Sequence, residues 1–110
     1  ARITDHLMYA KAFGLTVHRS TEQAKAGQEV GHTASIMKYA AAKMNQDKCE
    51  LIVEALGTDG LGWSGDGFAE DAKKATRGWL RSKGNSIEGG TSEINLNVIA
   101  KRVLGLREHQ

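Results

Sequence analysis

Apolar and small residues recur along the first quarter of the chain at Leu7, Ala10, Gly14, Val17 and Ala24, at spacings of three, four and seven. That is the repeat of one helical face, and it predicts a helix over residues 3–26 with a single buried stripe. Gly27 follows, where a helix C-terminus favours glycine. A second stripe of Met37, Ala40, Ala41, Met44, Leu51, Ile52 and Ala55 predicts a helix over residues 31–56, closed by Gly57. The next stretch, GTDGLGWSGDG over residues 57–67, is too rich in glycine for regular structure and reads as a connecting loop. Asp66 is placed to cap a third helix over residues 68–83. A fourth helix starts at Thr91 or Ser92, both good N-caps, and Glu93 in its first turn complements the helix dipole. Its apolar positions Leu96, Ile99, Val103 and Leu106 are spaced three, four and three, and Gly105 ends it. No segment alternates as a strand would, so the expectation is an all-α, up-and-down four-helix bundle.

The 110 residues suit one domain, able to bury roughly two thirds of its unfolded surface around one core. Hydrophobic residues at 40% and charged residues at 25% are ordinary for a soluble globular protein, so neither disorder nor a fibrous repeat is indicated. The net charge of +2 is spread over interspersed charges of both signs, without the basic stripe that a nucleic acid backbone requires, so no nucleic acid partner is expected. Apolar runs such as residues 51–53 and 98–100 are far shorter than the roughly 20 residues of a membrane span. A lone Cys49 fits a reducing compartment, and a cytoplasmic location is expected. The chain opens at Ala1 within helix-like sequence, which suggests a piece of a longer protein.

Chemistry concentrates in residues 85–94, NSIEGGTSEI, where a glycine pair leads into a capped helix. Adjacent glycines let another molecule approach the backbone, and the first N–H groups of the helix have no intrahelical acceptor, so a nucleotide phosphate could bind there. The plainer reading is a tight turn with Thr91 as its cap. Glu88 is the carboxylate on this turn. Beside an apolar ligand it could act as a proton acceptor; the plainer readings are a solvent-exposed acid on a loop or one paired with a nearby lysine. The histidines His6, His18, His32 and His109 have no ligand-like spacing with each other or with Cys49, so no metal site is expected. Trp63 and Trp79 are assigned to no ligand.

Residues 80–106, LRSKGNSIEGGTSEINLNVIAKRVLGL, resemble the closing motif of acyl-CoA dehydrogenases. ASIMK at residues 34–38 and EALGTDGL at residues 54–61 resemble the two preceding landmarks of that family, in the same order and at similar spacing. The resemblance covers nearly the whole chain and implies the C-terminal helical domain of a larger flavoenzyme. It implies FAD as cofactor, an acyl-CoA thioester as substrate and an enoyl-CoA as product. An electron-transfer acceptor and a homo-oligomer built as a dimer of dimers, or a heterotetramer, are the implied partners.

Carried over residue by residue, the resemblance puts Glu54, Gly57 and Thr58 near the FAD of a neighbouring subunit. It puts Thr91, Ser92 and Glu93 near FAD at the helix start, and Gly90 beside the substrate. Glu88 is the candidate catalytic base, with two departures from the family pattern. Glu54 stands where many relatives have glutamine, and Gly89, one residue after Glu88, aligns with the base of the medium-chain members. In some relatives the base comes from an upstream helix. Acyl-CoA oxidases, flavin monooxygenases and non-catalytic assembly subunits share the same bundle.

Overall fold

The computed structural model describes residues 1–28 and 31–107, so His109 lies outside the described residues. Within them the chain is all-α and forms a helical bundle with no strand. Helix α1 spans Arg2–Lys25, α2 spans Thr33–Leu56, α3 spans Glu70–Ser82 and α4 spans Ser92–Val98. A 3-10 turn over Gly57–Leu61 continues α2, another over Lys83–Ser86 continues α3, and a widened π turn over Ile99–Val103 continues α4. No helix is long and apolar enough to cross a membrane among the described residues.

The ends of the helices follow from local chemistry. At the end of α1, the Gln28 N–H donates to Gln23 O and the Gly27 N–H to Ala24 O, while Gly27 takes φ 75°. This paired closure needs a left-handed residue, which glycine supplies without strain. Thr91 caps α4 as expected: it is extended, and its Oγ1 accepts from the Ile94 N–H at 3.2 Å.

Asp66 does not cap α3, whose N-cap is Ala69 without a side-chain bond. The reason is the path of the preceding loop. It folds back so that the Phe68 ring lies against Gly62, which delays the helix to Glu70. Nor is that loop wholly irregular, since its first five residues form the 3-10 turn.

Helix α2 is the centre of the assembly, and α1, α3 and α4 all pack on it. The buried apolar side chains are small, Ala42 on α2 and Ala72 on α3. Of the expected α2 stripe, Met37, Ala40, Ala41, Met44 and Leu51 are half-buried, whereas Ile52 and Ala55 are exposed. Of the stripe expected on α1, only Ala10 is half-buried within this chain, and Leu7, Gly14, Val17 and Ala24 are exposed. Leu7 is 63% exposed and Val17 also faces outward. Helix α1 instead turns His6, Ala10, Phe13, Thr16 and Ser20 inward. That set repeats with the same period as the expected stripe, but it is rotated around the helix. Periodicity identifies a face, and the neighbour decides which face is covered.

Candidate functional site

The turn between α3 and α4 is assembled from side chains on three helices. After the 3-10 turn, the N–H groups of Ile87 and Glu88 both donate to Gly84 O, at 3.1 and 3.2 Å. Gly89 and Gly90 then take φ 70° and 102°, a conformation that residues with a Cβ rarely adopt. The Gly90 carbonyl accepts from Lys38 Nζ of α2 at 2.5 Å and from Asn95 Nδ2 of α4 at 3.3 Å. Asn95 is buried, and its Nδ2 also donates to Thr91 O at 2.9 Å.

A second set of bonds ties the start of the turn to α2. Gln46 Nε2 donates to Ser82 O at 3.1 Å, and Asn45 Nδ2 donates to Asn85 Oδ1 at 2.7 Å. Asn85 Nδ2 in turn reaches Glu88 Oε2 at 3.5 Å. Lys38, Asn45 and Gln46 are seven and eight residues apart, so they share one face of α2.

Glu88 makes an ion pair with Arg81, whose Nη2 donates to its Oε1. Arg81's hydrogen bond and charge, with smaller contributions from Asn85 and Lys38, hold the Glu88 carboxyl below the ordinary glutamate range. The group stays ionised and strongly partnered, so as it stands it is a weaker base than a free carboxylate. Two clefts flank the turn. One of about 330 Å³ is lined by Lys38, Asn45, Asn85 and Glu88 among others. The other, about 270 Å³, includes Gln46, Ser86, Ser92 and Glu93 in its lining. Ile87 and Ile94, on either side of the glycines, are 67% and 58% exposed.

Glu54, Gly57 and Thr58 form a separate group at the far end of α2. The 16 residues from Lys38 to Glu54 correspond to about 24 Å along the helix axis. Glu54 pairs there with Arg2 of α1, Gly57 turns the chain at φ 60°, and Thr58 is exposed. Beyond them the glycine loop is held by one face of α3. Thr76 Oγ1 donates to Gly60 O at 2.8 Å, and Lys73 Nζ donates to Gly65 O at 2.8 Å. Arg77 donates twice to Trp63 O and lies 5.2 Å from the Trp63 ring centroid.

The structure thus brings Glu88, Gly90, Thr91, Ser92 and Glu93 together and sets Glu54, Gly57 and Thr58 apart from them. Sequence reading missed Lys38, Asn45, Gln46 and Asn95 as organisers of the turn. For the three on α2, the available signal was a polar row at helical spacing beside the small residues Ala41 and Ala42. For Asn95 the sequence signal pointed the other way: the apolar spacing put Leu96, Val103 and Leu106 inward, whereas Asn95 is buried and those three are exposed. Among the described residues, no three His, Cys, Asp or Glu side chains come together as a metal site would require.

Residues 1–104 match the sequence profile of the family described as acyl-CoA dehydrogenase, C-terminal domain. The acyl-CoA dehydrogenase FadE34 of Mycobacterium tuberculosis is 31% identical over 100 residues, covering 91% of this chain and 13% of that protein. The chain therefore corresponds to a small part of the relative it matches. No solved structure matches it.

Proposed function

Because the chain belongs to the acyl-CoA dehydrogenase family as its C-terminal domain, we propose that it serves an FAD-dependent enzyme that removes two hydrogens from an acyl-CoA thioester. The product in this reading is the α,β-enoyl-CoA. The observation that carries the proposal is the turn at residues 88–93. A positive-φ glycine pair opens the backbone, a capped helix begins beside it, and exposed Ile87 and Ile94 flank it.

These residues fit a flavin and a thioester in their chemistry. Unpaired N–H groups at a helix start suit anionic or carbonyl oxygens, and the isoleucines suit flat or aliphatic groups. FAD, when bound, supplies the acceptor for the hydride leaving the β-carbon. Thr91, Ser92 and Glu93 would hold that cofactor at the start of α4, while Gly90 leaves room for the thioester. Glu54, Gly57 and Thr58 would meet the FAD of a neighbouring subunit, in keeping with their separation from the turn. Glu88 is the carboxylate this chain offers for the proton on the α-carbon. Homo-oligomeric or heterotetrameric assembly, an electron-transfer acceptor and a cytoplasmic location complete the reading.

The clasp of Arg81 on Glu88 favours a second reading, in which Glu88 anchors the turn and the base comes from another segment of the parent protein. Anaerobic bleaching of the flavin in the full-length parent separates the two. Wild type and Glu88→Gln would be mixed with saturated acyl-CoA thioesters of 4, 8, 12 and 16 carbons, numbers chosen to span roughly the aliphatic range at about 0.8 kcal/mol per buried methylene. If Glu88 is the base, the variant loses bleaching by roughly 10²-fold or more. If bleaching survives in the variant, the base lies elsewhere. Absence of bleaching in the wild type with every thioester would sink the dehydrogenase proposal and favour a monooxygenase or a non-catalytic subunit.

A further inference from the structure

The candidate cofactor group at the end of α2 is held from behind. The 3-10 turn over Gly57–Leu61 buries one residue, Gly60, and exposes Gly57, Thr58 and Asp59. On one side Gly60 meets α2: a Cβ built there would lie 2.9 Å from Val53 O and 3.0 Å from Val53 Cγ1. On the other side its carbonyl accepts from Thr76 Oγ1 of α3 at 2.8 Å. Thr76 is itself buried, at 7% exposure, and the same hydroxyl lies 3.2 Å from Ala72 O of its own helix.

The exposed residues of the turn depend on this buried bond. A buried carbonyl that loses its partner is costly, so removing the hydroxyl drives the turn to move until Gly60 O finds another donor. The turn itself resists weakly, because 3-10 hydrogen bonds are poorer than those of an α-helix and five residues make few of them. The hydroxyl on α3 therefore governs where the exposed backbone of Gly57 and Thr58 stands.

We infer that Thr76 is a positioning residue for the flavin. Its hydroxyl fixes the Gly57–Leu61 turn in the form in which Gly57 and Thr58 receive the FAD of a neighbouring subunit. The inference rests on the cofactor placement proposed above. It assigns Thr76 no contact with FAD, because the effect passes through Gly60. About 24 Å along α2 separates Glu54 from Lys38 beside the substrate turn, so the hydroxyl acts on cofactor retention and leaves the thioester site unchanged.

The test follows flavin release from the full-length parent, read as the rise of flavin fluorescence after dilution of the holoprotein. Thr76→Val keeps the side-chain shape and removes the hydroxyl, and Thr76→Ser keeps the hydroxyl and removes the methyl. Thr58→Glu places a carboxylate on the turn that is to meet the anionic cofactor. We expect release to be about fivefold faster or more in Thr76→Val and Thr58→Glu, and within about twofold of wild type in Thr76→Ser. At saturating FAD, the half-saturating thioester concentration for bleaching should change less than about twofold in Thr76→Val, and a larger change overturns the inference because the whole bundle would then have loosened. Wild-type release in Thr76→Val also overturns it, as does a Ser variant as fast as the Val variant, since packing of the side chain would then account for the residue. If Thr76→Val fails to fold or holds no flavin, the Ser variant decides. Near-wild-type release by Thr76→Ser supports the role of the hydroxyl, and loss of flavin from both overturns it. Wild-type release in Thr58→Glu would instead remove the placement of FAD on this turn, and a wild type isolated without flavin would remove the cofactor reading itself.

Discussion

At Thr91 one hydroxyl determines how cleanly the chain passes from the glycine pair into α4. Its Oγ1 accepts from the Ile94 N–H, and Thr→Ala at such a cap costs about 1 kcal/mol. Thr91→Ala in the parent should therefore lower the apparent unfolding temperature in a melting scan, and Thr91→Ser should leave it nearly unchanged. Two residues before the glycine pair's end, Glu88 responds to pH with a fixed sign. Arg81 depresses its carboxyl in the folded chain, so the pair contributes stability above the ordinary glutamate range and loses it as pH falls through the depressed value. Both side chains are largely exposed, so the contribution is small and screened by salt. The difference in unfolding temperature between wild type and Arg81→Met should accordingly be present at about pH 7 and shrink as acidification protonates the Glu88 carboxyl. A difference that grew on acidification would contradict the ion pair.

Helix α3 shows how an element can organise a segment with little structure of its own. Lys73, Thr76 and Arg77 lie on one face at spacings of three and one, and each binds a carbonyl of the preceding glycine loop. That loop closes tightly: a Cβ on Gly62 would sit 2.2 Å from Cγ of Phe68, well inside contact distance. Gly62→Ala should destabilise the parent by roughly 1–3 kcal/mol, because the ring must move out of its packed position. Gly78, inside α3, is the contrasting case, since nothing lies within 4 Å of a Cβ built there. Gly78→Ala should stabilise by up to about 1 kcal/mol through helix propensity. Both changes can be read from denaturant midpoints measured side by side. Destabilisation by Gly78→Ala would mean that another part of the parent packs against this face of α3.

As a whole, the chain is more open than its mass requires. It exposes 8005 Å², whereas a compact monomer of this mass exposes roughly 6,000 Å². Its radius of gyration is 17.5 Å, against about 13 Å for a compact domain of this length. Large apolar side chains are among those exposed: Ile3, Leu7, Met8 and Leu15 on α1, and Leu104 and Leu106 near the other end of the chain. Apolar surface of this extent favours association. The isolated 110 residues should therefore elute as concentration-dependent oligomers in size-exclusion chromatography. They should also bind FAD weakly or not at all, because the two candidate cofactor groups lie apart along α2. Stoichiometric flavin binding by a monomeric isolated chain would refute this.

The sequence alone was enough for the four helices, for Gly27 and Gly57 as their endings, for the Thr91 cap and for the family motif around the glycine pair. Each of these depends on residues close together along the chain, where spacing and local hydrogen bonding govern the outcome. Only the tertiary structure decided which face of α1 turns inward, that Phe68 folds onto Gly62 and leaves α3 to begin without Asp66, and that Arg81 clasps Glu88. The grip of Lys38 and Asn95 on Gly90 belongs with them. Lys38 and Gly90 are 52 residues apart and meet only through the packing of α2 against the turn. A helical repeat records that a side chain shares a face with others, but the partner it will find depends on how the helices pack.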